Sequence, residues 1–243
     1  MKKDYSVIRR FAMKICGLNK TTLLDYPGKV AATVFLAGCN FRCPFCQNSS
    51  LVLHAGQQPE LSQEEVLRFL KKRKGILDGV CITGGEPTLQ NDLPDFLDQI
   101  KQLGYEIKLD TNGSRPQFLK DAVQAHLVDK IAMDIKSSKE SYSLVCQTAH
   151  LDLDAICESV RFLMDCPIEY EFRTTVVREL HTEADFYSIR QWLSGAKAYY
   201  LQAYRDSEDV IHPGFSSYTR RELEHFREIL LSTISLVEIR GID

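Results

Sequence analysis

No apolar run in this sequence approaches the roughly 20 residues that a membrane-spanning helix requires. Glycine and proline are sparse, 13 and 8 of 243 residues, which excludes a fibrous repeat and argues against disorder. Neither sign of charge dominates. Thirty Lys and Arg against 33 Asp and Glu leave a net charge of -3, with no general pull toward nucleic acid or an anionic membrane surface. The opening residues, MKKDYSVIRRF, are basic but lack the apolar stretch of an export signal. The expected setting is therefore the cytoplasm, where the eight cysteines read as thiols or metal ligands rather than disulfides. What is present is a core-forming share of hydrophobic residues, 44%, in a chain of domain length.

Apolar strand-like runs alternate with helical patterns. Strands are expected at 31–38, 80–85, 106–113, 130–136, 170–177, 198–205 and 235–241. Helices are expected at 61–75, 92–104, 116–126, 153–166, 183–195 and 219–232. Ser62 with Glu65 forms a capping box, Gly104 closes the second helix and Pro116 opens the third. This rhythm implies right-handed βαβ units and a parallel sheet. No Gly-rich phosphate loop follows the first strand, which disfavours a dinucleotide-binding fold. The expected architecture is α/β, an incomplete (β/α)6 TIM-like barrel of parallel strands. In both candidate architectures, active sites lie at the carboxyl ends of the strands.

The sharpest signal is Cys39-x3-Cys43-x2-Cys46, directly after the first expected strand. Three thiolates on one tight loop can hold three corners of an iron–sulfur cube and leave one iron open to a substrate. The alternative is a zinc knuckle, which needs a fourth ligand such as His54. A second signal, Gly84-Gly85-Glu86-Pro87, ends the next strand. Two glycines admit a ligand close to the backbone, and a carboxylate beside them can accept hydrogen bonds from an ammonium group.

With these two motifs the chain resembles the radical S-adenosylmethionine superfamily. More closely it is similar to anaerobic ribonucleoside-triphosphate reductase activating proteins, relatives of the pyruvate formate-lyase activating enzyme. GLNKTTLLDYPGKVA (17–31), FLAGCNFRCPFCQN (35–48), GVCITGGEPTLQ (79–90), KLDTNG (108–113), AMDIK (132–136) and EFRTTVV (171–177) carry the resemblance. It implies a [4Fe-4S] cluster on Cys39, Cys43 and Cys46, and S-adenosylmethionine as cosubstrate, cleaved by one electron to a 5'-deoxyadenosyl radical. It also implies a flavodoxin- or ferredoxin-type donor, and a glycyl radical installed on the anaerobic reductase.

The resemblance assigns cofactor contacts one position at a time. Phe45 is placed near the adenine, with packing under the loop as the plain alternative; Cys46 and Gln47 follow it. Gly84, Gly85 and Glu86 receive the methionine ammonium. Asp110 and Thr111 contact the cofactor and border a monovalent-cation site, although Asn112-Gly113 also reads as a simple turn. Asp134 and Lys136 alternate on one strand and so share a face, and the lysine suits the methionine carboxylate. Arg173 points in or out by parity alone. Some relatives place a His after the sixth strand; here Arg205 stands there and is the candidate ribose contact.

Cys81 reads as core, and Cys146, Cys157 and Cys166 lack the short spacings of a second cluster. Residues 1–16 are expected as an N-terminal extension before a single domain, 17–243, with Met13 an alternative start. The rival functions are activation of a formate-lyase-type enzyme, small-molecule radical chemistry, and a non-catalytic zinc module.

Overall fold

The computed structural model describes residues 13–242. Seven parallel strands run in chain order: β2 (Ala31–Leu36), β3 (Gly79–Gly84), β4 (Glu106–Thr111), β5 (Lys130–Asp134), β6 (Glu169–Val176), β7 (Ala198–Ala203) and β8 (Leu236–Arg240). An eighth strand, β1 (Ile15–Thr22), adds antiparallel to β2. The sheet runs β1 to β8 in order and is open between its two end strands. Each strand from β2 to β7 is followed by helix, so the expected six βα units are present in an incomplete barrel.

The strands form where the sequence offers short apolar runs buried on both faces, as parallel strands require. β1 was not expected. It is polar and half exposed, carries Asn19, Lys20 and Thr21 on the sheet edge, and presents no continuous apolar run. The extension boundary drawn at residue 16 falls inside β1, because Ile15 already pairs with Leu36. Of that expected extension, residues 1–12 lie outside the described residues.

The helices are α1 (Ser49–Leu53), α2 (Gln63–Lys72), α3 (Leu93–Gln102), α4 (Pro116–Gln124), α5 (Tyr142–Cys146), α6 (Leu153–Asp165), α7 (Glu183–Trp192) and α8 (Arg220–Leu231). The Ser62/Glu65 capping box is formed at α2, with equivalent boxes at Thr182/Asp185 and Thr219/Glu222. Gly104 closes α3 with a positive φ of 89°. The one-turn helices α1 and α5 were missed because five residues are too few to display a helical period. Both border the site.

The inner face of the barrel is unusual in being charged. Period-two alternation turns Lys108 and Asp110 of β4, Asp134 of β5, and Glu171 and Arg173 of β6 inward. Low in the barrel, Glu171 is 1% exposed and binds Lys130 and, through a forked contact, Arg240. Lys108, also 1% exposed, pairs with Asp110.

Candidate radical and cofactor site

The cysteine loop leaves β2 at the carboxyl end of the sheet, and distant segments hold it there. Gly38 N–H donates to Leu51 O of α1 at 2.9 Å, and Arg42 N–H to Cys146 O of α5 at 2.9 Å. Residues 209–212, after β7, stitch the far side. His212 N–H donates to Pro44 O at 2.8 Å and Ile211 N–H to Cys46 O at 3.2 Å. Nothing in the local sequence marks these anchors.

The loop roofs a cavity of about 880 Å3 including its open mouth, a size suited to a nucleoside-sized ligand. Cys39, Cys43 and Cys46 line it together with Phe45, Gln47, Gly84, Gly85, Asp110, Thr111, Asp134, Lys136 and Arg173. The cysteine loop and strand ends far apart in sequence thus bring to one cavity all twelve of the residues expected there besides Glu86 and Arg205; the cavity's remaining walls include Asn112 and Thr175.

Arg173 is the hinge of its electrostatics and points inward. Its Nε donates to Asp134 at 2.6 Å and its Nη1 to Asp110 at 3.1 Å. Lys136 Nζ adds a 3.0 Å bond to Asp134. Burial alone would raise the Asp134 carboxyl, but Arg173 and Lys136 outweigh it and hold it well below the usual carboxylate range. Burial likewise opposes the Lys136 charge, and Asp134 and the neighbouring cysteines restore it well above the ordinary lysine value.

The Glu86 side chain does not face the cavity. It is fully buried and accepts from Thr88 N–H at 3.1 Å, Thr88 Oγ1, Thr111 Oγ1 at 2.8 Å and Asn112 N–H at 2.6 Å. The expectation that this carboxylate takes an ammonium group is corrected: four donors already occupy it, and only the backbone of Gly84 and Gly85 reaches the cavity. The glycines have a second cause besides ligand approach. A Cβ on Gly84 would lie 2.2 Å from Leu36 O, and one on Gly85 2.0 Å from Gly38 O.

Beside the expected monovalent-cation position, Lys108 and Arg173 contact the Asp110 oxygens and Thr111 donates its hydroxyl to Glu86. One further expectation changes. Arg205 does not line the cavity. Beyond the end of β7 at Ala203, Tyr204 takes the buried position and Arg205 the exposed one, meeting the site through its carbonyl, which accepts from Gln47 Nε2 at 3.0 Å. Phe45 is buried as well as cavity-lining, so packing and ligand contact coexist; its ring meets His181 edge-on at 6.2 Å.

Among the described residues, no three His, Cys, Asp or Glu side chains converge on one ion position. That geometry does not suit a zinc knuckle, and His54, exposed at the C-terminal end of α1, does not line the cavity. Thiolates bound to separate irons of a cube need no common point, so the donor set fits a cluster. Cys39 Sγ also accepts Phe41 N–H at 3.3 Å. Burial first, then Glu86, pushes the Cys39 thiol up to about 12, whereas Cys43 is lowered, chiefly by the Cys146 side chain.

The family description "Radical SAM superfamily" matches residues 33–193, more than half of the chain. The chain belongs to the radical SAM superfamily. Radical SAM enzymes use a [4Fe-4S] cluster and S-adenosylmethionine. One relative, in Methanocaldococcus jannaschii, is provisionally named a glycyl-radical enzyme activating enzyme, MJ1227. It is 27% identical over 241 residues, covering 94% of this chain and 96% of the relative. Among solved structures, a domain of pyruvate-formate lyase-activating enzyme from Bacteroides vulgatus superposes with a TM-score of 0.55 at 18% identity, covering 67% of this chain and 99% of that one. Streptococcus suis SuiB bound to S-adenosylmethionine superposes with a TM-score of 0.65 at 12% identity, covering 84% and 48%. Both likenesses are of fold. Among the described residues, no helix of this radical SAM protein is long and apolar enough to cross a membrane.

Proposed function

We propose that this radical SAM enzyme activates a glycyl radical enzyme, the anaerobic ribonucleoside-triphosphate reductase. The observation that carries the reading is likeness over nearly the whole length to a relative named for glycyl radical enzyme activation. The resemblance carried by the sequence segments quoted above supports the reductase as that partner.

Cys39, Cys43 and Cys46 would hold the cluster. Lys136 would offer an ammonium to the methionine carboxylate, and the Gly84–Gly85 backbone would receive the methionine amino group. Phe45 would supply an apolar wall for the adenine, with Gln47 beside it. Asp110, Asp134 and Arg173 fix the charge of the floor and keep Lys136 in place; Thr111, through Glu86, holds two strand ends together. When bound, the reduced cluster and S-adenosylmethionine would supply a 5'-deoxyadenosyl radical to abstract one Cα hydrogen from the partner's glycine, with methionine and 5'-deoxyadenosine as by-products and one electron drawn per event from a flavodoxin- or ferredoxin-type cytoplasmic donor. The chain's own contribution is to hold the reacting atoms together in a cavity open at one end.

Purified without oxygen, the protein is expected to be brown and to hold about four irons, as a [4Fe-4S] centre requires. Cys39→Ser, Cys43→Ser or Cys46→Ser abolishes this, whereas Cys157→Ser does not. Mixed with the reductase, S-adenosylmethionine and a strong reductant, it should give a carbon-centred doublet in electron paramagnetic resonance. Changing the reductase's loop glycine to Ala should remove that doublet. A doublet on a formate-lyase-type enzyme and none on the reductase would replace this partner with that one. Stoichiometric zinc without iron would overturn the reading altogether.

A further inference from the structure

Of the six histidines in the chain, five are exposed and His181 is 0% exposed. It lies between the end of β6 and the start of α7. Its ring joins two strand ends. Nε2 is 2.8 Å from the carbonyl of Lys136, which can only accept, so Nε2 carries the proton. Nδ1 then accepts Val177 N–H at 3.0 Å. Val177 O also lies 3.2 Å from Nδ1, but burial disfavours the charged ring that would donate to it. The backbone around the ring is fixed as well: His181 N–H donates to Val177 O at 2.9 Å, and Tyr218 Oη donates to His181 O at 2.6 Å. Phe45 and Phe186 meet the ring at centroid distances of 6.2 and 6.4 Å.

We infer that His181 is a positioning residue of the ligand site: its Nε2–H fixes the Lys136 carbonyl, and so the direction from which the Lys136 ammonium enters the cavity. The inference rests on the proposed role of Lys136 toward the methionine carboxylate. Its physical basis is where the sheet stops. β5 ends at Asp134, and Ile135 N–H makes a last ladder bond to Arg173 O at 2.8 Å. Lys136 stands beyond that ladder, so its backbone needs another anchor. The stretch from His181 to Asp185 supplies two, since Ser138 Oγ donates to Asp185 while His181 holds Lys136. Asp185 is itself tied to Thr182 N–H at 2.8 Å, at the head of α7. A charge-assisted contact is short and directional, so a lysine whose backbone drifts loses most of it. Rigid support behind a contact residue is what keeps such a geometry productive.

The test is calorimetric titration of the cluster-loaded protein under nitrogen with two ligands, S-adenosylmethionine and 5'-methylthioadenosine, which lacks the amino-acid carboxylate. His181→Phe and His181→Leu remove the donor and keep apolar bulk, whereas His181→Gln keeps an N–H for the Lys136 carbonyl. Denaturant midpoints are taken first. In the apolar variants, affinity for S-adenosylmethionine should fall about tenfold and affinity for 5'-methylthioadenosine should stay within about twofold. His181→Gln should bind both ligands like the unaltered protein. Added to Lys136→Ala, His181→Phe should cost no further affinity, because its effect passes through the lysine. Equal weakening of both ligands, or full additivity with Lys136→Ala, would report a merely structural role and overturns the inference. So does unchanged affinity for S-adenosylmethionine in a folded apolar variant. Failure of both apolar variants to fold would place His181 in the construction of the core and overturns positioning as stated. Lys136→Ala separates the two levels. Unchanged affinity there overturns the lysine's role and this inference with it; weakened affinity there with no effect at His181 overturns this inference alone.

Discussion

Glu86, just past the end of β3, accepts the backbone N–H of Asn112, just past the end of β4, at 2.6 Å. Through this bond and those from Thr88 and Thr111, one buried carboxylate fastens together the two adjacent strand ends that floor the cavity. Asn112 in turn donates its side-chain amide to Asn40 at 2.8 Å, beside Cys39, so the clamp extends to the cysteine loop.

Glu86→Ala is therefore expected to act on stability before it acts on ligand affinity. It strands four donors, two of them the backbone and side-chain groups of Thr88, in a fully buried site. Each unsatisfied buried group costs roughly 1–3 kcal/mol, so a loss on the order of 4 kcal/mol is expected after partial relaxation. Glu86→Gln should recover little, because its amide would turn a donor toward donors. Urea unfolding of the metal-free variants measures this. A stability equal to that of the unaltered protein, with weakened S-adenosylmethionine binding, would return Glu86 to the role of a ligand contact.

Lys136 and Asp110 separate two effects that both follow from the charged floor. Lys136→Ala leaves Asp134 still bonded to Arg173, so the fold should persist and the cluster should load. What is lost is one charge-assisted contact to a ligand carboxylate, worth roughly 1.5–3 kcal/mol, or about ten- to a hundredfold in affinity. Asp110→Ala instead leaves Lys108, 1% exposed, without its carboxylate and deprives Arg173 of one of two. Removing one partner of a buried pair costs about 3–5 kcal/mol, so this variant should unfold at markedly lower denaturant. Calorimetry under nitrogen for the first and denaturant midpoints for both distinguish the cases. Unchanged affinity in Lys136→Ala would remove the lysine from the binding site.

The parts of this site that were legible in the sequence are those that a short spacing or a strand end announces. Cys39-x3-Cys43-x2-Cys46 names its own chemistry, and Asp134 with Lys136 shares a face by alternation alone. The illegible parts depend on what lies across the barrel. Parity did not decide whether Arg173 points inward, and only the apposition of Asp110 and Asp134 gives it a reason to. Lys108 was hidden inside an apolar-looking strand, although its alternation with Asp110 was the available signal. Glu86 looked like a ligand group because its donors, Thr111 and Asn112, come from the next strand. Cys146 carried no signal, since its neighbour Cys43 is reached only through the fold. β1 escaped because an edge strand needs one buried face, not two.

Acid should unlock the lower barrel through Glu171. Burial alone would raise its carboxyl, but the hydrogen bonds and charge of Arg240, with Lys108 and Lys130, bring it down from 4.5 to about 2. A depressed carboxylate contributes its full stability above the unfolded value of 4.5 and loses it as pH falls from there through about 2. The gap corresponds to on the order of 3 kcal/mol. Glu171→Gln removes the titrating group and leaves Arg240 and Lys130 facing an amide. The variant should thus be less stable than the unaltered protein near pH 7, by an amount that shrinks steadily between pH 5 and pH 2. Denaturant unfolding at a series of pH values, on metal-free protein so that cluster loss does not intrude, measures the difference. A difference that stays constant across that range would show that the ion cluster is held by shape and not by the carboxylate charge.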